Sequence, residues 1–138
     1  MLQRLILGCA LACGLIATQA TAWAAPAEAR MLSGKTGQNY RIVIKVDGRG
    51  LKIKRFNAKL RCRNGTLLIL RESGFLRTPA RRGGRFKDVQ YGKTDTVRFR
   101  GRLRGRQSVR GQLRVSDKTK RGPRCTTPWI PFRATPRR

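Results

Sequence analysis

The chain has no histidine, and of its 138 residues only six are Asp or Glu and four are Cys. Without imidazole it lacks the side chain that most often serves as general base and as metal ligand. The carboxylates Glu28, Asp47, Glu72, Asp88, Asp95 and Asp117 stand singly along the sequence, so nothing in their spacing pairs them for acid–base work. Each is read as balancing a neighbouring Arg. No segment sustains a 3.6-residue apolar repeat either, which argues against helices. On these scarcities the chain is read as non-enzymatic, with no cofactor and no metal.

What the chain has in excess is positive charge. It carries 33 Lys and Arg, a formal net charge of +27, yet 39% of its residues are hydrophobic. That apolar content falls in strand-like patterns, which argues against a disordered basic tail.

The first residues read as an export leader. Met1–Arg4 supplies one positive charge, and Leu5–Ala17 is an unbroken run of apolar and small residues, too short to span a bilayer. Small residues at Ala22 and Ala24 fit the −3 and −1 positions of a signal-peptidase site, predicting cleavage before Ala25. Cys9 and Cys13 sit too early in the apolar run for a lipoprotein box, and Arg4 has no neighbour to make a twin-arginine signal. The expected product is a soluble secreted or periplasmic chain without a transmembrane anchor. Its length is the 138 residues less the 24 of the leader, or 114.

Two cysteines then remain, Cys62 and Cys125, and an even count in an exported chain reads as one disulfide. Closing so long a loop is worth about 4 kcal/mol in the chain-entropy picture. A domain this small has little other stability to spare.

Alternation then predicts the strands. Tyr40, Ile42, Ile44 and Val46 share one face, and Leu51 and Ile53 resume after the Gly48–Gly50 turn. The next apolar set, Phe56, Ala58, Leu60 and Cys62, has slipped phase, which predicts a bulge or break near Lys54–Arg55. Asn64–Gly65 predicts a two-residue hairpin turn. That register puts Leu67 and Ile69 on the Cys62 face and leaves Leu68 and Leu70 on the other, either covered within the domain or marking a contact surface. Thr78–Arg85 is expected to be an exposed loop anchored by Phe75, Phe86, Val89 and Tyr91.

A second hairpin sets Val97, Phe99, Gly101 and Leu103 against Val109, Gly111, Leu113 and Val115, with arginines between them. Its predicted pairs are Leu103 with Val109, Gly101 with Gly111 and Phe99 with Leu113. The facing glycines leave room for a large side chain, for which Trp129 is the candidate. A last strand over 125–134, broken by Pro128 and Pro131, is expected at a sheet edge. The fold class is therefore all-β, a small antiparallel β-sandwich or open barrel of about six to eight strands with one disulfide. The parts are a leader (1–24), a linker (25–38), one β-domain (39–134) and a loose basic tail (135–138).

These landmarks come in a particular order. Ser33-Gly34-Lys35-Thr36 with Gln38 opens the first strand, and Leu60-Arg61-Cys62-Arg63-Asn64-Gly65 closes the second. Gly84-Arg85-Phe86, the Val97–Val115 hairpin and Cys125 through Phe132 to Ala134 follow. This succession resembles a group of small exported bacterial β-domains, common in actinobacterial secretomes, with two spaced cysteines and an aromatic-x-Ala ending. Pro128 stands where that group carries Gly. The resemblance implies export, a β fold and the disulfide, and it implies no activity.

Motifs for chemistry are thin. Gly34-Lys35-Thr36 and Gly92-Lys93-Thr94 look like the ends of phosphate-binding loops, but neither has the earlier Gly nor opens a helix, so both are turns. The charge is what remains. The hairpin is expected to set Arg98 opposite Arg114 and Arg102 opposite Arg110, and like charges directly opposed in a sheet are destabilising unless anions sit on them. Arg grips phosphate, sulfate or carboxylate through two parallel hydrogen bonds. The candidate polyanion-binding residues are therefore Arg98, Arg100, Arg102, Arg110 and Arg114, extended by the loop residues Arg81, Arg82 and Arg85. The partners expected are anionic polymers of the cell envelope or surroundings, with no specific nucleic acid and the oligomeric state open. The alternatives are a structural secreted or envelope domain with incidental charge, and a secreted inhibitor or toxin-like protein.

Overall fold

The computed structural model describes residues 28–117 and 122–137. The leader and its cleavage site at Ala22, Ala24 and Ala25 lie outside the described residues. Ten strands follow one another: β1 (Arg30–Thr36), β2 (Arg41–Asp47), β3 (Gly50–Cys62), β4 (Leu67–Ser73), β5 (Thr78–Pro79), β6 (Arg85–Tyr91), β7 (Asp95–Arg104), β8 (Ser108–Asp117), β9 (Cys125–Thr126) and β10 (Ile130–Pro136). One short 3-10 turn, Arg82–Gly84, precedes β6. Every pairing is antiparallel.

Six strands close a barrel in the order β1, β2, β3, β9, β8, β10 and back to β1. The all-β antiparallel class and the Cys62–Cys125 disulfide are as expected, and the barrel is closed. Two short strands, β5 and β9, lie in stretches too irregular to show alternation, and they bring the count to ten. β4 and β5 add to the free edge of β3, while β7 and then β6 add to the free edge of β8. The stretch 25–38, read as a linker, contains β1, and the supposed basic tail begins with Thr135 and Pro136, which belong to β10.

The core takes one residue in two from each barrel strand: Leu32, Ile42, Ile44, Val46, Leu51 and Ile53 from one half of the wall, Val109, Leu113, Val115, Ile130 and Phe132 from the other. Each such side chain contributes about 1.5–3 kcal/mol by leaving water. Phe75, from the segment after β4, stacks on Phe56 at 5.5 Å between ring centroids and meets Phe99 edge-on at 6.5 Å. Phe75 and Phe86 are the anchors expected of the 72–96 region. Tyr91 is not: it is 77% exposed, and Val89 is half-buried.

The phase slip in β3 is a bulge, as its pattern predicts. Val43 lies opposite Arg55 and Ile44 opposite Ile53, which leaves Lys54 as the extra residue. The β7–β8 hairpin has the expected register throughout. The space over its glycines is filled differently from expectation: a Cβ on Gly101 would meet the Phe86 ring at 2.8 Å, and one on Gly111 the Phe132 ring at 2.8 Å. Both rings belong to the residues directly opposite each glycine on the next strand outward. Trp129 lies outside the core.

The β3–β4 turn departs from the two-residue reading. Gly65 N donates to the Cys62 carbonyl at 3.0 Å and Cys62 N to the Thr66 carbonyl at 2.9 Å. The loop thus has three residues, Arg63-Asn64-Gly65, with Gly65 at φ 83°, the arrangement of a type I turn closed by a left-handed glycine. One residue of slip exchanges the faces of β4. Leu68 and Leu70 lie opposite Leu60 and Ala58 and pack on the core, whereas Leu67 and Ile69 are 55% and 54% exposed.

β10 is not an edge strand. It pairs β1 on one side and β8 on the other. Pro131 is tolerated because its backbone points past the end of β1: its carbonyl accepts from Gly37 N at 2.7 Å, so its missing N–H leaves no gap in either ladder.

Cys62 and Cys125 face each other across β3 and β9 and are disulfide-bonded. Between β9 and β2 the same edge of β3 has a gap, which a side chain fills. The Gln38 amide donates to the Lys59 carbonyl at 2.9 Å and accepts from Lys59 N at 2.8 Å, as a strand residue would.

Candidate functional site

Alternation in β7 and β8 turns Val97, Phe99, Leu103, Val109, Leu113 and Val115 inward and leaves the intervening arginines outside. Arg98, Arg100, Arg102, Arg110 and Arg114 are all exposed on one face of the hairpin. Arg98 lies opposite Arg114 and Arg102 opposite Arg110. Strands in a sheet are about 4.8 Å apart, so these guanidiniums are forced into close company. Among the described residues the single ion pair is Arg77 with Asp47, elsewhere on the molecule. The face is therefore without internal counter-charge.

Arg100 is the most constrained of the set. Its guanidinium lies 4.3 Å from the centre of the Trp129 ring, and its Nε and Nη2 donate to Gln112 Oε1 at 3.3 and 3.1 Å. A cation held over an indole is worth about 0.5–1 kcal/mol at an exposed site. Trp129 thus serves as a platform on the outer face.

The loop arginines divide. Arg81 and Arg85 join Lys87, Arg100, Arg102 and Gln112 around a depression of about 620 Å³. Arg82 is exposed in the 3-10 turn and does not line it. Arg98 and Arg114 lie farther along the strands, and Arg114 borders a second depression of about 670 Å³ beside the disulfide, with Arg61, Arg63 and Arg124.

Four cations that alternation alone does not single out complete the face. Lys87 lies opposite Arg100, Arg133 opposite Arg110, Lys35 opposite Arg133 and Arg41 opposite Lys35. Each occupies an ordinary outward position of its strand. Only the closure of the barrel sets β10 beside β8 and β1 beside β10, and no local signal announces that.

Three of the scarce carboxylates also meet. Asp95 lies directly opposite Asp117 where β7 begins and β8 ends, and Glu72 reaches them from β4. Burial, a hydrogen bond to Asp95 and the charges of Asp95 and Asp117 push the Glu72 carboxyl up to about 7. Asp117 is buried, and its Oδ1 has no hydrogen-bond partner among the described residues. No metal-binding cluster of three or more such groups forms among the described residues, so the trio is read as a shared-proton contact.

The fold and this face define a disulfide-bonded, all-β barrel protein with an uncompensated cationic surface. The chain matches no family model and no curated protein. Among the described residues no helix is long and apolar enough to cross a membrane.

Proposed function

We propose that the protein is an exported, non-catalytic domain that binds anionic polymers of the cell envelope or surroundings through the outer face of the β7–β8 hairpin. The observation that carries this reading is the direct opposition of Arg98 to Arg114 and Arg102 to Arg110 with no carboxylate beside them. Opposed like charges cost stability in a sheet, and an anion laid across them removes the cost. The guanidinium fork suits phosphate, sulfate and carboxylate alike. The depression lined by Arg81, Arg85 and Arg102 extends the same surface.

The test is a salt titration of the oxidised domain against lipopolysaccharide, teichoic acid, sulfated glycan and duplex DNA. The variant carrying Arg98→Gln, Arg102→Gln, Arg110→Gln and Arg114→Gln runs beside it. One polymer should remain bound at physiological salt, and the variant should lose it. If four contacts are removed, the slope of log K against log salt falls by about three to four. If all polymers release together and the variant behaves as the parent, the charge is incidental and the structural-domain reading replaces this one.

A further inference from the structure

The strand registers, followed across the whole molecule, connect into one line. Arg85 on β6 lies opposite Arg102 on β7, Arg102 opposite Arg110 on β8, and Arg110 opposite Arg133 on β10. Arg133 lies opposite Lys35 on β1, and Lys35 opposite Arg41 on β2. All six are exposed. Six consecutive strands thus carry one cation each in the same row, at about 4.8 Å per step.

Over the barrel wall this row is one residue wide. On one side of it the outward positions are Gln112 and Pro131. On the other they are Ser108, Thr135, Ser33 and Val43. None of these six is charged. The row widens only at its ends. Arg85 and Arg102 open on the depression that Arg81, Lys87 and Arg100 also line. Arg41 opens on another of about 420 Å³, with Arg55, Arg71 and Glu72.

The row also bends. Arg110, Arg133, Lys35 and Arg41 stand on four neighbouring strands of a six-strand closed barrel. The wall of a closed barrel curves from strand to strand, so the row follows that curve from Arg110 to Arg41 and does not lie in one plane. A flat membrane or a stiff duplex cannot follow that curve along its whole length. A flexible thread reaches all six.

From this line we infer that the ligand is an unbranched, flexible polyanion whose backbone carries the charge. It lies across the strands from the Arg85 end, around the barrel, to Arg41. The inference rests on the polyanion reading above and specifies its ligand. Charges in the thread itself, as in a polyphosphate or polyphosphodiester, fall on a single file of cations. Charges on side branches would fall on the neutral residues that flank it. Five of the six cations are Arg, whose fork accepts two oxygens of one phosphate.

The test uses inorganic polyphosphate chains of graded length, binding to the oxidised domain at physiological salt. Duplex DNA and anionic lipid vesicles are matched to them in charge. Affinity should climb steeply with chain length until the thread spans the row and then level off. The variant carrying Lys35→Gln, Arg41→Gln and Arg133→Gln lies wholly outside the β7–β8 hairpin. It should bind the shortest chains as the parent does, lose the length-dependent gain and drop the salt slope by about two. Thr135→Glu, which sets an acid beside the row, should give the same loss by a second route, with thermal melts confirming the fold of both variants.

Poly(glycerol phosphate) and single-stranded DNA, run as further arms, separate a plain backbone-charged thread from one that carries bases. If the length gain survives both variants, or if duplex and vesicles bind as tightly and feel the same substitutions, the row is not a track. If no polymer of any shape binds at physiological salt, the broader polyanion reading fails instead.

Discussion

At the scale of single residues, Glu72 and the paired glycines carry the sharpest consequences. Glu72 keeps its proton in the folded chain up to about pH 7, against an ordinary value of 4.5. Between those values the native state holds more protons than the unfolded chain, so stability falls as pH rises through that window and levels off above it. Glu72→Gln retains a hydrogen-bonding partner for Asp95 and removes the repulsion. Melting temperatures measured from pH 4.5 to 8 should fall with pH in the parent and stay flatter in the variant, which should be the more stable of the two at pH 8. Gly111→Ala should be severe, costing about 3 kcal/mol or more in denaturant titrations, because its Cβ meets the Arg100 backbone as well as the Phe132 ring. The facing glycines were legible from alternation alone. The identity of the rings above them was not, because Phe86 and Phe132 reach them only through pairings on either side of the hairpin. The acidic trio was equally hidden: its members are separated by 20 or more positions and join only where β4, β7 and β8 converge.

At the scale of elements, periodicity carried the reading as far as each pattern was long. The β7–β8 hairpin has ten residues a side in strict alternation, so its register was readable to the residue. The bulge in β3 was readable because it shifts the phase of a long apolar series. The β3–β4 turn was misread by one residue because Asn64–Gly65 suits two loop lengths, and four apolar residues in a row, Leu67–Leu70, cannot say which pair faces in. Thermodynamics distinguishes the two registers. Leu67→Ala should stay within about 0.5 kcal/mol of the parent, whereas Leu68→Ala, which packs on the core opposite Leu60, should cost about 2 kcal/mol or more. Gln38→Ala removes two hydrogen bonds that hold the barrel wall between β2 and β9. It should cost about 1–2 kcal/mol, with faster amide exchange at Lys59.

At the scale of the whole molecule, the disulfide and the barrel closure do related work. Cys62 and Cys125 join β3 to β9, a contact that otherwise rests on two residue pairs. Replacing both cysteines by Ser should lower stability by about 2–5 kcal/mol in equilibrium unfolding. Their pairing was legible from the even count that remains outside the expected leader, but their place beside β9, whose junctions with β3 and β8 each rest on two residue pairs, was not. The candidate face divides the same way. Its hairpin arginines follow from local alternation, and Lys35, Arg41 and Arg133 follow only from which strands become neighbours when the ring closes.

That ring is completed by its last member in the sequence. β10, at residues 130–136, is the strand that joins β1 to β8. A chain emerging N-terminus first from a ribosome or a pore therefore exposes two unpaired edges, on β1 and on β8, until residues 130–136 are free. Unpaired edges of that kind recruit other strands. The ring consequently closes only once β10 has emerged, and a product that stops short of Ile130 has no closed form to reach.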